Sequence, residues 1–385
     1  MTAGAGGREQ FARIALSFLA EPGDLALGAL LRACGPAEAF AAICDGRPPT
    51  EGSAPGHGGV PGLSRAFERW AARLGGVPTD SRLAAWDRAG IRILCPGDPE
   101  WPTQLAVLGD ARPLVLWLRG SADLRFACLR SVSVVGARAA TGYGRHVATE
   151  MAAALAERGF AVISGGAYGI DRCAHAGALG ADGVTVAVLA SGLRYGYPKG
   201  HAELFAAVAG HGVLVSEWPP ERAPTRPGFL IRNRVIAALS CGTVVVEAAL
   251  RSGALSTARH ARDLCRPLMA VPGPVTSDLS AGCHEIIREW GAVCVTRAQD
   301  VIEHVSPVGE GLEGRRRGPA YPRDSLDPVT TSVLEAVPSR AGSGPAAIAV
   351  AAGVDLDTAI GCLGALAAAG FVERCVRGWR IRKNA

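Results

Sequence analysis

Lysine is almost missing from this chain: of its 40 basic residues only Lys199 and Lys383 are lysines, and the rest are arginines. No Gly-x-x-x-x-Gly-Lys-Ser/Thr stretch occurs, which excludes a P-loop ATPase or helicase of the ordinary kind. The 11 cysteines are odd in number and contain no Cys-x-x-Cys pair. Zinc spacing and a disulfide framework therefore both fail, and reduced thiols in a reducing compartment are expected. Neither His-Glu-x-x-His nor Gly-x-Ser-x-Gly is present, so the usual metalloprotease and serine-hydrolase signatures are absent too. Long apolar runs are also lacking. The longest charge-free run, Thr358–Val372, is broken by glycines and falls short of the ~20 positions a membrane span needs. Ile14–Ala20 is flanked by Glu9 and Glu21 without a clean cleavage site, so no secretory signal, no membrane partner and a cytoplasmic location are expected.

What remains is a mostly globular chain of 385 residues, 49% hydrophobic and 19% charged, long enough for two or three domains. The net charge of +5 is modest, so any anion binding must come from local clusters of arginine. Residues 1–90 read as a small helical module, interrupted by the Pro/Gly/Ser-rich stretch Gly46–Gly62, which is expected to be a mobile loop. Two short apolar runs, Ile91–Leu94 and Leu114–Leu118, lead into the central part.

Over residues 91–305 strand-like and helix-like segments alternate. Val132–Val135, Ala161–Ser164, Thr185–Leu189, Val213–Ser216, Thr243–Glu247, Leu268–Val271 and Ala292–Val295 are continuous apolar runs, as in strands buried on both faces. Gly144–Arg158, Ile170–Leu179, Phe229–Ser240 and Leu255–Leu264 have helical periodicity. This pattern predicts an α/β fold: a doubly wound, mostly parallel sheet of the Rossmann type, with its ligand beyond the carboxyl ends of the strands. Residues 306–325, with Arg315-Arg316-Arg317, read as a linker. Residues 326–385 then give three helices and two strands around Arg377-Gly378, the order of a winged helix.

Five strand-end loops could meet an anion. Val134–Gly144 offers Gly136 and Arg138 before a helix, where glycine permits close approach and a guanidinium can grip phosphate oxygens in pairs. The alternative is a plain strand-to-helix turn with Arg138 solvated. Ile163–Asp171 repeats the device with Gly165, Gly166, Tyr168 and Gly169, while Asp171 reads more simply as a charge in the first turn of a helix. Ala190–His201 brings Tyr195, Tyr197 and Lys199, or else a loop packed by its own tyrosines. Ser216-Glu217-Trp218 is followed by Arg222, Arg226 and Phe229, and then by Arg232, Asn233 and Arg234 at a helix start. Thr243–Thr257 supplies Glu247, Ser252, Gly253 and Thr257, with Glu247 either at the site or paired with a nearby arginine. Arginines beside aromatics, without a nucleophile or metal cluster, suit single-stranded nucleic acid better than catalysis. No cofactor is expected.

In their order, Val-Val-Gly-Ala-Arg-Ala-Ala-Thr-x-Tyr-Gly, Ser-Gly-Gly-Ala-Tyr-Gly-Ile-Asp, Tyr-Pro-x-Gly-His, Ser-Glu-x-Pro-Pro, Arg-Asn-Arg-x-Ile-Ala-x-Leu-Ser, Val-Val-Glu-Ala-x-x-x-Ser-Gly-x-Leu-x-Thr-Ala and Ala-Val-Pro-Gly resemble the DNA-processing protein A family (DprA, also called Smf). The resemblance covers about Ile91 to Val305. It implies an extended Rossmann domain that binds and protects single-stranded DNA during natural transformation, helps load the RecA recombinase, and forms homodimers. It also implies an N-terminal module of the sterile-alpha-motif or helix-hairpin-helix kind. Arg138 matches the family's phosphate-loop arginine, but Ala137 and Ala139 replace its usual Ser and Lys. Tyr168 stands where many members have Arg, while Arg232, Asn233 and Arg234 match intact. The C-terminal module, with six basic and five acidic residues, could equally contact protein.

Two rivals belong to other classes. Cys241-Gly242-Thr243-Val244-Val245-Val246-Glu247 is similar to the catalytic loop of nucleotide phosphoribohydrolases but lacks the glycine pair and shifts the Glu by one residue. A winged-helix regulator with an α/β sensor domain is the other.

Overall fold

The computed structural model describes residues 5–47, 63–307, 309–310 and 321–382. Residues 48–62 of the predicted loop and the Arg315–Arg317 run lie outside them. The chain divides into two compact units, Met1–Leu312 and Glu313–Ala385.

In the first unit, helices α1 (Ala5–Leu19), α2 (Leu25–Cys44), α3 (Leu63–Ala71) and α4 (Asp80–Arg88) precede the sheet. Asp24 caps α2 by accepting from Ala26 N and Leu27 N, and its other oxygen accepts from Trp70 Nε1. By length and composition α2 is apolar enough to cross a membrane. It is broken at Gly35 (φ 78) before Pro36, however, and Leu27, Leu30, Ala39 and Ile43 are buried with Phe67 and Trp70 in a protein core.

The strands are β1 (Arg92–Leu94), β2 (Leu116–Gly120), β3 (Ser131–Val135), β4 (Ala161–Ser164), β5 (Thr185–Leu189), β6 (Val213–Ser216), β7 (Gly242–Val245), β8 (Leu268–Ala270) and β9 (Val293–Cys294). Among the described residues they form one nine-stranded sheet in the order β1-β2-β6-β5-β4-β3-β7-β8-β9. From β6 to β9 all neighbours are parallel, as the alternating pattern predicts. The two apolar runs before the central part are strands of the same sheet: β2 pairs antiparallel with β6, Trp117 opposite Ser216, and β1 pairs antiparallel with β2.

The intervening helices are α5 (Leu124–Leu129), α6 (Gly142–Glu157), α7 (Ile170–Gly180), α8 (Ala202–His211), α9 (Arg226–Leu239), α10 (Ala254–Asp263), α11 (Asp278–Trp290) and α12 (Ala298–Val305). Strand side chains alternate between two cores, as a period of two requires. Val135, Ile163, Val186 and Val245 meet α9, α10 and α11 on one face. Val134, Val162, Val244 and Met269 meet α6, α7 and α12 on the other. The N-terminal helices share a third core with the sheet, where Trp117 meets the stacked rings of Phe18 (6.2 Å) and Trp86 (5.3 Å) edge-on.

In the second unit, α13 (Pro328–Ala336), α14 (Pro345–Ala352) and α15 (Leu356–Ala368) are followed by the hairpin β10 (Val372–Cys375) and β11 (Gly378–Ile381). Val333, Ile348, Leu363, Leu366 and Val372 form its core. Asp355 caps α15 through Thr358 N at 2.9 Å. From Pro345 to Gly370, across both α14 and α15, there is no lysine or arginine.

Candidate nucleic-acid interface

Strand order reverses at β3, which has β4 on one side and β7 on the other, so the crevice outside the carboxyl ends of β3 and β7 is where an open α/β sheet takes its ligand. A groove of about 750 Å3 opens there. Its walls are the loop after β3, one face of α9 and the turn from β7 into α10. Thr225 starts α9 by accepting from Gly228 N, with Pro227 in the first turn, where a missing N–H costs nothing. Helix α9 thus begins three residues before its apolar periodicity. Arg226, Phe229, Leu230 and Asn233 then fall at helical spacing on the groove side.

Arg138 is exposed on the groove wall, with its guanidinium carbon 4.8 Å from the centre of the Phe229 ring. Tyr197 packs edge-on to the same ring at 5.7 Å. Arg226 and Arg251 are further exposed cations of the groove. A notch of about 20 Å3, walled by Arg138, Gly165, Tyr168, Ser191, Tyr197 and Phe229, adjoins it. Ser191 Oγ is buried there without a hydrogen-bond partner among the described residues. Cations interleaved with ring faces fit a strand that alternates phosphates and bases.

The residues singled out in the sequence separate into distinct places. Gly136, Arg138, Arg232, Asn233, Ser252, Gly253 and Thr257 line the groove, and Gly165 and Tyr168 line the notch. Gly166 (φ +70) and Gly169 (φ +78) serve the backbone: a Cβ on Gly169 would lie 2.2 Å from Ala137 O, so this glycine lets the β4 loop close onto the β3 loop. Lys199 is exposed and lines neither cavity. Arg226 and Phe229 of the fourth loop lie in the groove, and so does Arg251, which the sequence reading passed over. Their signal was present in the Thr-Arg-Pro-Gly helix start and in the Arg-Ser-Gly turn.

Arg232 is buried. Its Nη1 donates to Gly165 O (2.7 Å) and Val188 O, tying together the ends of β4 and β5, and its Nε donates to Asn233 Oδ1. Burial lowers its pKa to about 10, against the opposing pull of Asp171, so it stays cationic at neutral pH. Burial likewise raises the Asp171 carboxyl, which Arg232 and the Ala167 N–H partly offset. Asn233 Nδ2 donates to Gly253 O (3.2 Å), fixing α9 to the start of α10. Arg234 faces away from the groove. It grips Glu217 with two bonds (2.5 and 2.7 Å) and donates to Ala111 O (2.8 Å), a carbonyl of the segment against which α2 packs. Glu217 is thereby paired.

Glu247 is 2% exposed and pairs with no arginine among the described residues. Its carboxylate accepts from Thr141 N (2.9 Å) and Thr141 Oγ1 (2.6 Å), and Thr141 in turn caps α6. Among the described residues no His/Cys/Asp/Glu group could hold a metal ion.

The model of the family described as DNA recombination-mediator protein A matches residues 92–306. The chain belongs to that family. A putative DNA processing protein DprA of Mycobacterium tuberculosis is 44% identical over 376 residues, spanning 95% of this chain and 92% of the relative. DNA processing protein DprA of Bacillus subtilis is 34% identical over 58% of this chain and 74% of its own length. Among solved structures, DNA processing protein A of Streptococcus pneumoniae superposes with a TM-score of 0.61 at 28% identity, over 78% of this chain and 98% of that one. The Helicobacter pylori DNA processing protein A, whose single-stranded DNA binding mode is described as unique, gives 0.50 at 28% identity, over 55% and 94%. The DprA matches fit the mixed α/β fold with its large, mostly parallel sheet.

Proposed function

We propose that this chain binds single-stranded DNA along the groove at the ends of β3 and β7, and acts without catalysis as a cytoplasmic recombination mediator. In that role it shields the strand, as a homodimer, and passes it to RecA recombinase during DNA uptake. The observation that carries the reading is the exposed Arg138 guanidinium stacked on Phe229 beside Tyr197, in a groove that also holds Arg226 and Arg251. The single-stranded ligand of the H. pylori relative supports it. Arg232, Asn233 and Arg234 act here as scaffold, shaping the loops that present the free cations.

The nucleotide-hydrolysing rival needs a carboxylate free to work on a substrate, whereas Glu247 is engaged by Thr141. The C-terminal unit, a winged helix by its element order, suits a protein contact better than a phosphate backbone, because α14 and α15 carry no cation. Fluorescence anisotropy of labelled oligo-dT and of the matching duplex, at several salt concentrations, tests the reading. Expected are tight, salt-dependent preference for the single strand and a loss on Arg138→Ala. Equal binding of strand and duplex, or an unaffected Arg138→Ala, would overturn it.

A further inference from the structure

The start of α6, directly after the glycine turn of β3, is where a Rossmann sheet usually places a phosphate, because free N–H groups and the helix dipole converge there. In this chain the position already holds an anion. Glu247, reaching over from the end of β7, takes both donors of Thr141, while Thr141 Oγ1 accepts from Gly144 N at 3.1 Å. A Cβ on Gly144 would lie 2.1 Å from Glu247 Oε2, so the first turn of α6 is cut away to admit the carboxylate. Glu247 O also accepts from Ala137 N (2.7 Å), which anchors the same loop. Tyr143 crosses above and donates to Pro272 O at 2.6 Å.

We propose that Glu247 is a specificity residue: an internal counterpart of a phosphate that closes the α6 terminus to phosphomonoesters and leaves the groove to chain-internal phosphodiesters. The inference rests on the single-strand reading above. A terminal phosphate or free nucleotide is dianionic and gains most from several N–H donors converging on one point. The α6 terminus is such a point, and Glu247 both fills it and repels a second anion. The exposed cations of the groove, Arg138, Arg226 and Arg251, come from three separate elements, an arrangement suited to successive single charges along a strand.

The test compares the parent with Glu247→Ala, each checked for folding by circular dichroism, using labelled oligo-dT with dTMP and inorganic phosphate as competitors. In the parent, neither competitor should act beyond its ionic strength, and oligo-dT with a 5′-phosphate should bind like oligo-dT with a 5′-hydroxyl. In Glu247→Ala, affinity for dTMP should rise about ten-fold, the worth of one charge-assisted hydrogen bond, and Thr141→Val in the same chain should cancel the gain. A folded Glu247→Ala with no gain would overturn the inference, as would a parent that prefers the 5′-phosphate strand about ten-fold. Should Glu247→Ala not fold, the 5′-phosphate comparison on the parent decides alone. Failure of oligo-dT to bind at all would instead sink the single-strand reading.

Discussion

Arg138 and Arg226 stand on the surface of the groove with Arg251, whereas Arg232 and Arg234, a few residues along the same helix as Arg226, are only 5% and 6% exposed. The exposed set has ring faces and solvent beside it. In the buried set Arg232 is held by Gly165 O, Val188 O and Asn233 Oδ1, and Arg234 by Ala111 O, Ile231 O and the Glu217 carboxylate. The five N–H groups of Arg234 are bonded to Ala111 O, Ile231 O and the Glu217 carboxylate, which leaves none for a phosphate. Charge along the sequence and charge available to a ligand are thus different quantities, and α9 carries both kinds on two of its faces.

Arg234→Ala should separate the two sets most sharply. It strands Glu217 as an uncompensated buried charge and should cost about 3–5 kcal/mol in urea unfolding. The fraction that stays folded should still bind oligo-dT like the parent; a loss confined to binding would show that Arg234 faces DNA after all. Phe229→Ala should do the reverse, weakening oligo-dT binding by about 1–3 kcal/mol in anisotropy titrations while stability stays near the parent's. With Arg138→Ala, the log–log dependence of affinity on salt should become shallower by about one unit.

A smaller effect concerns His175, buried behind these loops with Nδ1 against Thr185 Oγ1 at 2.7 Å. Burial, with His201 and Arg232 nearby, lowers its pKa to about 3 from the ordinary 6.5. Below pH 6.5 the unfolded chain therefore binds a proton that the folded chain refuses. Stability is present in full above that pH and drains away towards pH 3, by about 1 kcal/mol per pH unit. Asp171, raised by burial, works in the opposite direction. Urea midpoints at pH 5, 6 and 7 for the parent and His175→Gln isolate the histidine share, which should vanish in the variant. The smallest change belongs to Arg194→Ala: its exposed bridge to Glu221, which Arg82 also holds, should be worth under about 1 kcal/mol by the same unfolding measurement.

The parallel strands were legible because each except β9, whose Val293 and Cys294 are exposed, is an apolar run buried on both faces, and β4, β5 and β6 begin and end where those runs do. The antiparallel pairing of β2 with β6 was not legible, since it joins residues about a hundred positions apart with no local signal. Helix α9 starts earlier than expected because Pro227 and Gly228 read as breakers, although proline suits a first turn. The Gly136 and Arg138 loop was found from its residues alone. That Arg234 is paired could not be, for its partners Glu217 and Ala111 meet it only in the folded chain. Glu247 drew notice as a carboxylate at a strand end, and its partner is a threonine cap rather than an arginine.

The N-terminal helices and the sheet share the Trp117 core, and Arg234 reaches back to Ala111 beside α2. The family model begins at residue 92, yet the molecule does not divide there. A chain cut at that boundary would bare the Phe18 and Trp86 side of Trp117 and be prone to aggregate. For this protein, the stretch that the family model marks out is shorter than the stretch that packs as one unit, and dissection by protease should respect the second.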